Sequence, residues 1–233
     1  MLTVRKSVFE GNSTAFDGGG IAGSVTVDDS TFVGNDASDG TGGAIAGSGK
    51  ITKSTFSENL AFSGGAIFGT ATLTVDRSRF SDNRAAGGWG GGIYHIAGAL
   101  TVRKSTFAGN GSFAGGVLLT LPDSVASLTD STFSGNAGGF SSGGIVNFGT
   151  LTIHDSTLSG NTANLGGGIF NAGTLAVDDS IITQNTANSA GGGIYVCIEG
   201  QVPPQAAPQL PCRGTLSLKR TSVSENTPGD IYP

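Results

Sequence analysis

Apolar–polar–apolar triplets recur along the chain at nearly even spacing: Leu2–Val4, Val25–Val27, Leu73–Val75, Leu100–Val102, Leu151–Ile153, Leu175–Val177 and Leu216–Leu218. Alternation with period two predicts strands whose two apolar residues face inward and whose central residue, mostly Thr, faces out. Two polar residues follow each triplet and predict a corner. A second strand comes next, with one apolar residue at its centre. That column reads Phe9, Phe32, Phe56, Phe80, Phe107, Phe133, Leu158, Ile182 and Val223. Three residues beyond each stands an asparagine: Asn12, Asn35, Asn59, Asn83, Asn110, Asn136, Asn161, Asn185 and Asn226, at intervals of 23, 24, 24, 27, 26, 25, 24 and 41. A period in the twenties is that of a solenoid, one supersecondary unit stacked on the next. In such a stack asparagine turns the chain, and its amides hydrogen-bond from coil to coil.

A glycine-rich segment completes the unit: Gly18–Ile21, Gly42–Ile45, Gly64–Ile67, Gly90–Ile93, Gly115–Val117, Gly143–Ile145, Gly166–Ile169 and Gly191–Ile194, with Gly229–Ile231 closing the series. Glycine there permits a sharp bend and close approach of neighbouring coils. It opens no helix and no Lys-Ser/Thr follows, so it is not a phosphate loop. Three short strands per coil predict an all-β, single-stranded parallel β-helix of about nine coils of roughly 24 residues. At the inter-strand spacing this is a rod of about 40 Å with phenylalanines stacked along its core. The whole of 1–233 reads as one domain, interrupted by a Pro-rich insertion at 198–213.

Composition narrows the function classes. With 41 glycines in 233 residues and 12% charged residues, the chain has neither the collagen period nor the charge of a disordered protein. A net charge of −5 argues against nucleic acid as a partner. No apolar run is long enough to span a bilayer. MLTVRKSVFEGN lacks the layout of a leader peptide, and residue 2 already lies within a coil. An uncapped first coil predicts that the chain is truncated at its N-terminus, and Pro228 and Pro233 read as a crude stop at the other end.

The pairing of GGAI (Gly42–Ile45, Gly64–Ile67) with FxxN (Phe32–Asn35, Phe56–Asn59) resembles the polymorphic outer-membrane-protein repeat of chlamydial adhesins, within the pectin-lyase-like superfamily. The resemblance covers nearly the whole chain and implies a right-handed β-helix, secreted or surface-displayed, some relatives acting as adhesins. Two departures stand out: residues 1–233 themselves show no membrane barrel, and the last copies weaken to Leu158, Ile182 and Val223.

Charge sits at the first corner. The pairs are Arg5-Lys6, Asp28-Asp29, Thr52-Lys53, Asp76-Arg77, Arg103-Lys104, Thr129-Asp130, His154-Asp155, Asp178-Asp179 and Lys219-Arg220, holding 8 of 12 basic and 7 of 17 acidic residues. Mostly alternating signs predict a ladder that penalises slipped register. Asp130, Asp155 and Asp179 break it by stacking like charges, with Asp178 and His154 beside them. The insertion is expected to displace the compensating Lys219 and Arg220. That patch is a candidate calcium site, or a pair of acids for polysaccharide cleavage by a lyase or glycoside hydrolase. Against an enzyme, the basic residues outside the corners are only Lys50, Arg79, Arg84 and Arg213, on distant coils. His95 has no partner at metal-ligand spacing. His154 and Asp155, adjacent in a strand, are expected to point apart, which disfavours a triad.

For binding, the row after the glycine-strand isoleucine is apolar: Ala22, Ala46, Phe68, Tyr94, Leu118, Val146, Phe170, Tyr195 and Tyr232. If it faces outward it forms a ridge for glycan or protein, centred on Phe68, Tyr94, Phe170 and Tyr195, unless loops holding Trp89 or Phe113 cover it. A Thr-x-Thr ice-binding face is interrupted at Lys50, Ala99, Val125 and Ala176. Cys197 and Cys212 bracket the insertion; a disulfide there closes about 16 residues and implies an oxidising, extracytoplasmic setting. The sequence therefore predicts a non-enzymatic adhesion or display module, extracellular or on a cell surface.

Overall fold

The computed structural model describes residues 1–201 and 212–233. Most of the 198–213 insertion therefore lies outside the described residues. Within them the regular elements are β-strands, and no helix is long and apolar enough to cross a membrane. The strands form four parallel sheets rather than three, stacked as a right-handed solenoid. Sheet I holds the alternating triplets, nine strands from Leu2–Arg5 to Thr215–Lys219. Sheet II holds the Phe column, nine strands from Val8–Glu10 to Ser222–Ser224. Sheet III, seven strands from Asp36–Thr41 to Thr186–Ala190, follows the asparagines. Sheet IV, nine strands from Ile21–Ala22 to Ile231–Tyr232, completes each coil. Sheet III escapes the hydrophobic pattern because its inward residues are small: Ala37, Ala61, Ala85 and Ser112 stack in register.

Each strand pairs with its equivalent one coil away, and the insertion does not disturb this: Thr174 pairs Thr215 and Asp178 pairs Lys219. Phe9 to Phe133 stack with ring centroids 4.5–4.9 Å apart and planes within 8°. Together with the inward residues of sheets I and IV they make one continuous core. The glycine run is not itself a strand. It is a left-handed turn into sheet IV, with φ of 67°, 66° and 67° at Gly42, Gly64 and Gly90. Gly43 has a second reason to lack a side chain: a Cβ there would run into the backbone of Gly65 and Leu60. Both roles expected of glycine are met.

In the fifth coil the phase differs from expectation. Leu118, not Val117, pairs Ile93 and Ile145, which puts Leu119 in the outer row. Val117, Leu118 and Leu119 are all apolar, so alternation cannot set the phase there; strand pairing does.

Hydrogen bonds lock the coils. Asn59 Nδ2 donates to Asn83 Oδ1 at 2.8 Å, Asn83 to Asn110 at 2.9 Å, and the pattern runs to Asn226. A serine ladder escaped the sequence reading. Ser54 Oγ accepts from the amide of Ser30 (3.2 Å) and donates to the carbonyl of Thr52 (2.7 Å), and this repeats through Ser78, Ser105, Ser131, Ser156 and Ser180. The signal was present: a serine stands two residues before nearly every Phe-column residue.

Candidate functional site

The charged corner is the first place where chemistry was expected. The second residue of each pair is left-handed: Lys6, Asp29, Lys53, Arg77, Lys104, Asp130, Asp155, Asp179 and Arg220 have φ of 46–51°. Such a backbone is disfavoured for a side chain bearing a Cβ, and recurs here because each corner is held by strands on both sides. It also corrects one expectation. His154 ends a sheet I strand but Asp155 lies beyond it, turned back, so His154 Nε2 sits 3.0 Å from Asp155 Oδ2 instead of pointing away.

The acidic patch is assembled as stacked but is not a bare carboxylate cluster. His154, Asp178 and Asp179 bring ligand atoms within 4.8 Å of one another, while Asp130 and Asp155 fall outside that group. Arg220 bridges the two aspartates: Nε donates to Asp179 Oδ1 at 2.6 Å, and one terminal nitrogen donates to Asp179 Oδ2 at 2.7 Å and Asp178 Oδ2 at 2.9 Å. Lys219 Nζ lies 4.0 Å from Asp178. The expectation that the insertion displaces this compensation is thus corrected, because ladder pairing resumes in register beyond it. Hydrogen bonds from Arg220 hold the Asp179 carboxyl below its ordinary range and push the guanidinium up. A guanidinium on three of the four carboxylate oxygens leaves Asp178 Oδ1, which has no hydrogen-bond partner among the described residues.

A second charged group sits lower. Asp76, nearly buried, faces Arg77 at 2.8 Å and Arg103 one coil up at 3.6 Å. Thr52 donates to Asp28 at 2.7 Å and, ahead of the nearby basic residues, holds that carboxyl down.

The aromatic row on sheet IV is in register but is not an open ridge. Phe68 pairs Tyr94, and Val146, Phe170, Tyr195 and Tyr232 follow in line, with Leu119 in place of Leu118. Phe170 is fully buried and Tyr195 nearly so; Phe68 and Tyr94 are half-buried. Phe148, Ala172, Cys197 and Cys212 fold over the row from the loop side, with Trp89 packed against them, making a second core outside the sheet. Phe170 stacks on Tyr195 at 5.5 Å, and Tyr195 on Tyr232 at 5.3 Å. Burial pushes the Tyr94 and Tyr195 hydroxyls up. Of the two residues weighed as covers for the row, Trp89 packs against this second core, whereas Phe113, just beyond the sheet III strand Gly111–Ser112, stands exposed. Cys197 and Cys212 are disulfide-bonded, with Cα atoms 5.0 Å apart, inside this second core.

Beside the second core runs a polar file that the sequence reading missed. His95 is buried, its Nε2 at 2.9 Å from the carbonyl of Ala71 and Nδ1 at 3.1 Å from Ser124 Oγ. Burial holds its pKa down. Above it Thr120 donates to Asn147 and Asn147 to Asn171, both at 2.8 Å. Asn147 and Asn171 are spaced 24 residues apart, the only trace the file left in the sequence.

The comparisons agree with this geometry. A model described as the right-handed beta helix region matches residues 2–125. The Chlamydia polymorphic membrane protein repeat matches residues 179–197, the stretch from the charged corner through the asparagine to sheet IV. Comparison with proteins of curated function finds no match. With more than half the chain covered by the first of these models and three parallel sheets running through nine strands each, the chain belongs to the right-handed β-helix family.

Proposed function

We propose that this protein is a non-catalytic scaffold displayed outside the cell, presenting a lateral face of its solenoid to glycan or protein. The observation that carries the reading is the chlamydial membrane-protein repeat at 179–197, whose grammar the other coils share. Two features support it. Ladders of buried asparagine and serine make a stiff rod of the kind suited to display. A disulfide in the last coils favours an oxidising compartment. The competing reading, polysaccharide cleavage by the Asp130/Asp155/Asp178/Asp179 patch, draws no support from Asp178 and Asp179, which Arg220 engages.

The test pairs two assays on the purified chain. Incubation with neutral and acidic polysaccharides, with and without calcium, releases neither reducing ends nor unsaturated products. Beads coated with the protein adhere to epithelial monolayers or immobilised polysaccharide above albumin-coated controls. Release of product overturns the non-catalytic part, and adhesion no better than albumin overturns the display part.

A further inference from the structure

At the corner after sheet I, the left-handed residues do not alternate in sign. From the first coil upward the column reads Lys6, Asp29, Lys53, Arg77, Lys104, Asp130, Asp155, Asp179 and Arg220. Backbone bonds hold its members at the same point of successive coils: Lys53 N donates to the Asp76 carbonyl, Arg77 N to Arg103 and Lys104 N to Thr129. Three cations in a row, Lys53, Arg77 and Lys104, are therefore followed by three carboxylates, Asp130, Asp155 and Asp179. Neighbours within each block stand about one strand spacing apart, roughly 4.8 Å. Like charges stacked in this way destabilise the sheet, and strict alternation would serve register better. The two blocks need another reason.

Compensation within the chain is incomplete. Asp76 faces Arg77 and Arg103, and Arg220 holds Asp178 and Asp179. Lys53, Lys104 and Asp130 are exposed and make no ion pair among the described residues. Beside the junction of the blocks the outward side chains are short, Thr101 and Ser127 on sheet I and Thr106 and Thr132 on sheet II, so the charged column is open to approach.

A row of three positive and three negative charges is its own complement when turned end for end. We propose that two copies of this chain associate side by side and antiparallel along this corner, about a two-fold axis between the Lys104 and Asp130 coils. Lys104 of each copy then meets Asp130 of the other, Arg77 meets Asp155 and Lys53 meets Asp179. The flanking coils obey the same reversal, since Asp29 meets Arg220. So does the first residue of each corner pair: Asp28 meets Lys219, Asp76 meets His154, and Thr52 and Arg103 fall opposite Asp178 and Thr129 without a like-charge pair. The register is specific. An axis through the Lys104 coil sets Lys104 against itself, one through the next coil does so for Asp130, and parallel copies set every charge against its own kind. A polyanion would satisfy the basic block and be repelled by the acidic one. A two-fold contact of one patch with itself is the commonest route to a dimer, and complementary charge supplies its orientation. The proposal goes beyond the display reading and does not depend on a glycan or protein ligand.

The test is sedimentation equilibrium of the full chain. It gives a dimer at about 50 mM salt and a monomer at about 500 mM, because screening shortens the reach of exposed charges. Lys104→Asp and Asp130→Lys each set like charges together twice across the axis and raise the dissociation constant by about tenfold or more. The double variant, with the net charge of the parent, restores the dimer. Lysine and aspartate both occupy this left-handed corner in other coils, so all three variants keep the parent's circular dichroism and melting. Carbodiimide at low salt couples Lys53 to Asp179 or Lys219 to Asp28. The first pair lies five coils, about 24 Å, apart within one chain and meets only across two. A monomer at low salt, a dimer indifferent to salt, or single variants that the double does not rescue overturns the proposal. So does a dimer whose links join only neighbouring coils. Retention of a monomeric parent on heparin, lost in Lys104→Asp, assigns the basic block to a polyanion instead.

Discussion

Replacing one interior asparagine tests whether the ladder, rather than core burial alone, locks the coils. Asn83 is fully buried and makes four side-chain hydrogen bonds. Its Nδ2 donates to Asn110 Oδ1 at 2.9 Å and to the Phe56 carbonyl at 2.9 Å. Its Oδ1 accepts from the backbone and side-chain nitrogens of Asn59 at 3.1 and 2.8 Å. Asn83→Ala removes all four, each with a net value of about 0.5–1.5 kcal/mol, and leaves the buried Asn59 amide without this acceptor at about 1–3 kcal/mol. After partial relaxation the expected loss is about 3–6 kcal/mol, a large share of the stability of an ordinary domain. Asn12 is the internal control. It is exposed, and its amide makes a single ladder bond, to Asn35 at 2.8 Å. Asn12→Ala should cost no more than about 1 kcal/mol. The assay is urea unfolding followed by far-ultraviolet circular dichroism, comparing midpoints at unchanged slope. If the two variants differ by less than about 1 kcal/mol, the amides are passengers and the ladder argument is wrong.

Three further outcomes are expected. Removing the Cys197–Cys212 bond by double alanine substitution lowers stability by about 3 kcal/mol, read as a lower melting temperature that reductant no longer affects; equal melting of parent and variant refutes it. Burial holds the His95 pKa below 6.5, so the unfolded chain takes up the proton first. The His95 contribution is complete above about pH 6.5 and is lost as pH falls through the folded-state value, so the melting temperature drops on acidification, and less so in His95→Asn. Arg220→Ala frees both oxygens of Asp179 and Oδ2 of Asp178, so calcium raises the melting temperature of the variant more than that of the parent; an equal rise in both refutes a guarding role for Arg220.

Legibility followed side-chain size and phase. Columns of Phe, Asn and alternating Leu/Val were readable because one large or chemically distinct residue returns at each coil, and these are the columns that stack. Sheet III was invisible because alanine, serine and glycine carry little hydrophobic signal, although their backbone pairs from coil to coil, with register shifts after Ala61 and Ala163. Leu118 was placed one residue out of phase because three apolar residues in a row hide the alternation. The aromatic row was found, but its exposure was not: facing away from the main core does not mean facing water once Phe148, Ala172 and the Cys197–Cys212 disulfide pack against it.

The repeat alone determined the solenoid, its parallel strands and its internal files, since a strict period forces identical residues into contact and lets each coil satisfy the next. It could not determine which outer surfaces remain open. That depends on Arg220 returning across an insertion to meet Asp178 and Asp179, and on Phe148, Ala172 and the Cys197–Cys212 disulfide packing against the aromatic row. Such contacts join residues that no period relates, so only the packed chain decides them.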